Sequence, residues 1–410
     1  MFDIAVIGGG AAGLCSAITA KDTNPSLKIA VFEANSRVGK KLSVTGNGRC
    51  NITNKNITLQ RYRSNNGSFF EFALNSYNLS KTEEFFDNLG VPFVFEGDKA
   101  FPAALQAASV VDALRFECDA LGIELLTDAK IEKLEKTNGI FTLFCNGKKH
   151  SAKAVIAAFG GMAGLNKFGA DSKNYNLLLN FGHSLIQTKP SIVQLKTEPQ
   201  IVRQLKGIKV DCKVCAIYNG KTLQSDFGEV LFCDYGLSGP PILQLSHLYN
   251  TNKKLEISLD LASAYTHEQL FYICKNRQST LTHRPAGEFF TGFLNKRVGQ
   301  VILKLSGVNI NDDISAIKYD NIKKSVSLIK DFKFIVTGTT GLQNAQVTSG
   351  GIDTKDFYPD TLESKKVSGI FAAGELLDVD GDCGGFNLQW AWSSGMLAAH
   401  SAVRFIKGDK

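Results

Sequence analysis

Gly8-Gly9-Gly10-Ala11-Ala12-Gly13 carries its glycines at the GxGxxG spacing, and Glu33 follows twenty residues after the last of them. That combination suits a dinucleotide. Gly8 permits a tight turn, Gly10 lets the backbone approach a pyrophosphate, and Gly13 lets a helix pack close to a strand, with Ala11 and Ala12 at the helix start. A carboxylate at Glu33 can accept both hydroxyls of an adenosine ribose and would repel a 2′-phosphate, which favours FAD or NAD over NADP.

A second constellation lies near the other end of the chain. Gly374-Glu375 ends an apolar run, and Gly384-Gly385-Phe386-Asn387-Leu388 opens another. Glu375 could accept ribityl or ribose hydroxyls, and a helix beginning near Gly385 could stabilise charge that develops at N1 and C2=O of a flavin on reduction. FAD is long, so its two ends need separate binding segments. NAD needs only the first, so an NAD-only dehydrogenase, the nearest alternative, leaves the second unit without a role. With a single GxGxxG, NADH or NADPH is expected only as a transient co-substrate.

Between them, Arg37-Val38-Gly39-Lys40-Lys41 and the glycine-rich stretch through Gly46, Gly48 and Asn51 read as a loop bringing cations to the diphosphate. Cys50 is the one catalytic candidate, because neighbouring Arg49 could favour its thiolate, although a packed thiol is the better reading. The other catalytic residues stay unassigned. Cys212-Lys213-Val214-Cys215 has redox spacing but lies on an alternating strand, where residues three apart face opposite ways. Asp378-Val379-Asp380-Gly381-Asp382 opens like a calcium loop yet lacks its later glycine and glutamate. The six histidines show no ligand spacing, so no metal is expected.

The elements that must position these residues follow from periodicity. Residues 2–7 read as a buried strand, 14–21 as a helix, and 28–32 as a second strand. Residues 68–90 and 105–121 read as helices, and 123–158 as a strand meander that feeds Gly160-Gly161, a further close approach to cofactor. Alternating strands follow from about residue 190, with helical patterns at 266–276, 287–305 and 311–328. Residues 368–373 read as a strand and 386–404 as a helix.

The chain has 410 residues, 44% of them hydrophobic and 21% charged, which is a globular composition with room for more than one core. Its net charge of +7 and pI of about 8.8 would permit nucleic acid as a partner, and a flavin-dependent nucleic-acid-binding or RNA-modifying protein is a further alternative. Basic residues are nevertheless scattered, without a run of five, and read as solvated faces. A small molecule is the expected substrate. Nine cysteines without a framework suit a reducing cytoplasm, and neither a signal peptide nor a bilayer-spanning run is evident.

Four blocks carry a resemblance: Gly39-Lys40-Lys41-Leu42 through Asn54; Gly228-Glu229-Val230-Leu231-Phe232 with Gly236-Leu237-Ser238-Gly239-Pro240; Asn344 through Gly351; and Gly384 through Gly395. In these the chain resembles the BaiN/YhiN-type bacterial flavoproteins, NAD(P)/FAD-dependent and aminoacetone oxidase-like. The resemblance implies an α/β fold: a split glutathione-reductase-like FAD-binding domain in residues 1–188 and 336–410, interrupted at 189–335 by a β-rich insert domain with a small helical part. It also implies that Ala12 and the glycines hold the diphosphate, Glu33 the adenosine ribose, and that Lys40 and Lys41 flank the cofactor. Ile131 matches the position whose backbone touches adenine, Glu375 the carboxylate near the ribityl chain, and Asn387 and Leu388 the helix start beneath the flavin. The activity implied is that of an FAD-dependent oxidoreductase, with flavin reduced by NAD(P)H and reoxidised by an organic acceptor or oxygen.

Overall fold

A computed structural model describes residues 1–165, 167–252 and 254–408. Two compact units appear, one of residues 1–191 with 342–410 and one of 192–341.

The first unit is built on a seven-stranded sheet. Strand β1 (Phe2–Ile7) lies between β2 (Ile29–Phe32) and Lys148–Ala157, parallel to both, and Glu124–Leu126 extends the parallel set beyond β2. The strand Lys148–Ala157 serves two partners on its far side. Its first half pairs antiparallel with Ile140–Cys145, and its second half pairs parallel with Ile370–Ala372, so the C-terminal segment enters the sheet of the N-terminal one. The central parallel strands are apolar where they pair, Ile4 to Ile7, Ile29 to Phe32 and Ala154 to Ala157 being buried, as strands covered on both faces must be. Asn138-Gly139 and Asn146-Gly147, all four with positive φ, supply the two-residue turns of the antiparallel meander.

Helix α1 (Ala11–Thr23) is buried from Ala12 to Ala20, on every face. The long C-terminal helix, Phe386–Lys407, explains this burial. A Cβ on Gly395 would lie 2.8 Å from the Ala12 carbonyl oxygen and 3.4 Å from the Cys15 Cβ, so the two helices cross at near backbone contact.

The second unit is a closed six-stranded barrel, ordered Leu195–Thr197, Gly236–Ser238, Lys221–Phe232, Lys209–Tyr218, Glu256–Asp260, Phe332–Thr339, with the last strand pairing back to the first. Helices His267–Thr280, Lys296–Leu305 and Tyr319–Lys330 accompany it. Cys212 and Cys215 lie on one barrel strand, Cys212 buried and Cys215 half-buried, and none of the nine cysteines forms a disulfide.

Several sequence expectations need correction. The helix at 68–90 is two, Glu71–Ser76 and Leu79–Asn88, because Asn78 caps the second by accepting from Lys81 N. The helix at 287–305 begins only at Lys296, where Asn295 caps it, after a short 3-10 turn and Gly292 at φ +80. The helix at 311–328 starts at Tyr319, after the turn residues Asn311, Asp312 and Asp313.

A Cβ on Gly13 would lie 1.9 Å from the Gly8 carbonyl oxygen. Gly13→Ala should therefore force α1 off β1 and lower the urea-unfolding free energy by about 1–3 kcal/mol; an unchanged midpoint would contradict this packing.

Candidate functional site

The site begins where β1 turns into α1. Gly8 sits at φ +107 with a built Cβ only 2.4 Å from the Ala158 carbonyl oxygen, a position that admits glycine alone. Gly10 is the opposite case, since a Cβ there would meet nothing within 4 Å. No side chain caps α1. The first-turn amides of α1 have no acceptor within the helix, and they stand at the positive end of its dipole, a position that favours an anion.

Glu33 closes the adjacent side. Its carboxylate is 8% exposed and accepts from Gly9 N at 2.8 Å, Asn35 N at 2.8 Å and Asn35 Nδ2 at 2.5 Å. Lys40 reaches the same corner, donating to Asn35 Oδ1 at 3.2 Å, and Gly39 N donates to Gly9 O at 2.7 Å. The backbone that meets the end of β2 is that of Ala129, whose N–H donates to Glu33 O at 2.8 Å; Ile131 stands two residues further on, paired with Cys145.

The C-terminal segment arrives from the other side. A Cβ on Gly374 would lie 2.9 Å from the Ala12 Cβ, so this turn rests on the first turn of α1. The C-terminal helix clamps it, with Gly374 N donating to Ser394 Oγ at 2.9 Å and Trp390 Nε1 donating to Gly374 O at 3.0 Å. Glu375 pairs with Lys41 Nζ at 2.5 Å and accepts from Thr348 N at 2.8 Å. Gly161 packs against the same pair, its built Cβ 2.5 Å from Thr348 Oγ1 and 3.0 Å from Glu375 Oε1, while neighbouring Gly160 is open. Thr348 Oγ1 in turn accepts from Met162 N and Ala163 N, both at 2.8 Å.

The start of the C-terminal helix is bolted to residues 51–54. A Cβ on Gly385 (φ +100) would lie 2.4 Å from Thr53 O, Trp392 Nε1 donates to Ile52 O at 3.0 Å, and Gln389 accepts from Thr53 Oγ1 at 2.5 Å. Tyr62 donates to Phe386 O at 3.0 Å, and Leu388 is half-buried. The Asn387 side chain is consumed by the preceding turn, bonding Gly381 N, Gly381 O and Asp382 O, so only its backbone N–H is offered to a ligand. The acidic stretch ahead of this helix is neutralised by arginine: Arg61 pairs with Asp382 at 2.9 Å, and Arg63 with Asp380 at 3.0 Å and Asp382 at 2.6 Å. Among the described residues no group of three or more acidic, histidine or cysteine residues could hold a metal ion.

Cys50 corrects the reading of the loop. It is fully buried at φ +59, and burial pushes its thiol up to about 12. Arg49, the expected activator, instead pairs with Glu96 and lies 4.3 Å over the Phe101 ring. Gly46 is tight, with a built Cβ 2.9 Å from Asn51 N, and Gly48 is open.

Among the described residues, Asn51 Oδ1 and Tyr175 Oη are the buried side-chain oxygens without a hydrogen-bond partner. Burying such a group unsatisfied costs about 1–3 kcal/mol. Asn51 Oδ1 lies 2.9 Å from the built Cβ of Gly385, at the start of the C-terminal helix, and Tyr175 feels the Glu375 carboxylate. Both belong to the two halves just described, and sequence reasoning passed over Tyr175. Free amides at one end, open space before Gly10 and unspent polar atoms beside Glu375 and Gly385 fit a long polar ligand of FAD's kind.

The chain belongs to the family described as HI0933-like protein Rossmann domain, which it matches over residues 2–401. It is 33% identical over 98% of both chains to a 3-dehydro-bile acid delta(4,6)-reductase of Clostridium scindens. It is 31% identical to a ribosomal RNA dihydrouridine synthase of Haemophilus influenzae, over 97% of this chain and 98% of that one. In fold it is similar to the E. coli quinol fumarate reductase chain FrdA (TM-score 0.51, 16% identity, 100% of this chain and 71% of that one). It is also similar to a 3-ketosteroid delta1-dehydrogenase from Sterolibacterium denitrificans (TM-score 0.52, 11% identity, 98% and 99%). The α/β class expected from the sequence, a split Rossmann-type sheet with a separate β-rich insert, is the one found.

With its thiol pushed up to about 12, Cys50 carries almost no thiolate at pH 8. Mass spectrometry after brief iodoacetamide treatment of the folded protein should find Cys50 unmodified, whereas rapid alkylation there would restore it as a reactive group.

Proposed function

We propose that this protein is an FAD-dependent oxidoreductase that saturates a carbon–carbon double bond conjugated to a carbonyl group, with electrons from transiently bound NADH or NADPH. The observation that carries the reading is the seat of the Gly374-Glu375 turn on Ala12, which brings the first turn of α1 against the segment that carries Glu375. The names of the two relatives favour the reaction class. A delta(4,6)-reductase acting on a 3-dehydro bile acid and a synthase of dihydrouridine both remove unsaturation that is conjugated to a ring carbonyl.

Bound FAD would supply the hydride chemistry, which no side chain of the protein can provide. The protein's part is to hold and orient. The α1 amides behind Gly10 and Gly13 would hold the diphosphate, Glu33 the adenosine ribose, and Glu375, kept in position by Lys41 and Thr348 N, the ribityl hydroxyls. Backbone N–H groups of residues 386–388 would face the pyrimidine edge with the positive end of a 22-residue helix. In balance, one hydride and one proton add across the double bond while one NAD(P)H is oxidised to NAD(P)+. Nine cysteines without a disulfide suit a cytoplasmic protein, and no helix among the described residues is long and apolar enough to cross a membrane.

A second reading, an RNA-borne substrate, has its own supporting observation. Residues 192–341 hold 19 of the 46 Lys and Arg but only 13 of the 39 Asp and Glu, which is +6 of the net +7. An insert that carries nearly all of the net positive charge suits a polyanionic carrier. Salt-sensitive retention of RNA by the pure protein would favour it, and no retention at low salt would end it.

The purified protein should be yellow, release FAD on denaturation and bleach anaerobically with NADH or NADPH; a colourless protein that cannot be loaded with FAD would sink the proposal. Gly10→Ala should keep the wild-type unfolding midpoint of the flavin-free protein, since the added methyl meets no protein atom, yet weaken FAD retention at least tenfold.

A further inference from the structure

Tyr175 lies on a short helical stretch, Ser172–Tyr175 running into Asn176–Leu179, and is 2% exposed. Its hydroxyl has no partner, although buried hydroxyls elsewhere around the site are satisfied: Tyr62 by Phe386 O, Ser394 by Trp390 O, Thr53 by Gln389. A fold that satisfies its other hydroxyls and leaves this one has a use for it.

Its neighbours indicate what that use is. The ring stands edge-on to Phe159, with centroids 6.3 Å apart, and the Phe159 Cα is 2.7 Å from the built Cβ of Gly8, the first glycine of the cradle. Burial and the nearby Glu375 carboxylate both raise the phenol's pKa, so the proton stays on and the group acts as a donor. Glu375 itself is already engaged by Lys41 and Thr348 N. No described protein atom accepts from the phenol, which leaves the acceptor to a bound ligand, and donors of this kind bond most strongly to charged oxygen. Of FAD's central atoms, only the diphosphate oxygens are charged.

We propose that Tyr175 is a cofactor-anchoring residue whose hydroxyl donates to a diphosphate oxygen of bound FAD. The assignment rests on the FAD reading above but can fail independently of it. It concerns binding alone, and no step of hydride transfer passes through the phenol.

The test uses the full chain stripped of flavin, with Tyr175→Phe, which keeps the ring and its packing on Phe159. Calorimetric titration with FAD and with ADP, which carries the diphosphate without ribityl or flavin, should show both dissociation constants raised roughly tenfold or more. The unfolding midpoint of the ligand-free variant should equal or exceed that of wild type, because the substitution removes an unpartnered buried hydroxyl. Unchanged affinity for both ligands would overturn the proposal, as would weakened FAD binding with ADP unchanged, which moves the contact off the diphosphate. A lower ligand-free midpoint with unaltered affinities would make Tyr175 a packing residue and overturn it equally. Wild-type protein that takes ADP but no FAD would defeat the flavin reading instead, while the ADP comparison would still decide the role of Tyr175.

Discussion

The first unit depends on one close approach. Ala12 opens α1 and is touched twice, by the Gly374 turn at its Cβ and by Gly395 of the C-terminal helix at its carbonyl oxygen. Neither contact leaves room for a larger side chain. Together they bring segments more than 360 residues apart in sequence to the first turn of a single helix, the turn whose amides have no partner within the helix. The sheet cooperates, since Ile370–Ala372 enters it parallel to Lys148–Ala157 and delivers Gly374 on the same edge as Gly8.

Electrostatics and packing are separated on either side of that contact. At the end of β2 a single buried carboxylate, Glu33, is held in one orientation by backbone and by Asn35. In the C-terminal segment Glu375 is paired with Lys41, and Asp380 and Asp382 with Arg61 and Arg63. Pairing of this kind lets carboxylates approach the start of the C-terminal helix without an unbalanced charge there.

How much of this was legible in the sequence depends on the range of the interactions. The cradle and Glu33 are readable because strand, turn, helix and second strand are contiguous within 33 residues and each glycine has a local reason. Gly374-Glu375 is readable for the same reason. Arg49 was misread because its partner, Glu96, lies forty-seven residues away on a strand whose register only the fold defines. Tyr175 was invisible, since an unpartnered hydroxyl is a property of tertiary burial and leaves no trace in spacing. Asn387 shows the converse: the helix start was found, but the side chain's engagement with Gly381 and Asp382 was not. Closure of the barrel, which pairs residues 195–197 with 332–339, likewise has no local signal.

Displacement titration addresses most directly whether two distant segments grip one long molecule. Stripped protein is saturated with FAD and followed by flavin fluorescence while ADP or FMN is added separately. The expected result is one FAD per chain, displaced by either half-molecule, each binding far more weakly than the whole. Displacement by ADP but never by FMN would mean that the segment around Gly374 and Gly385 holds no flavin.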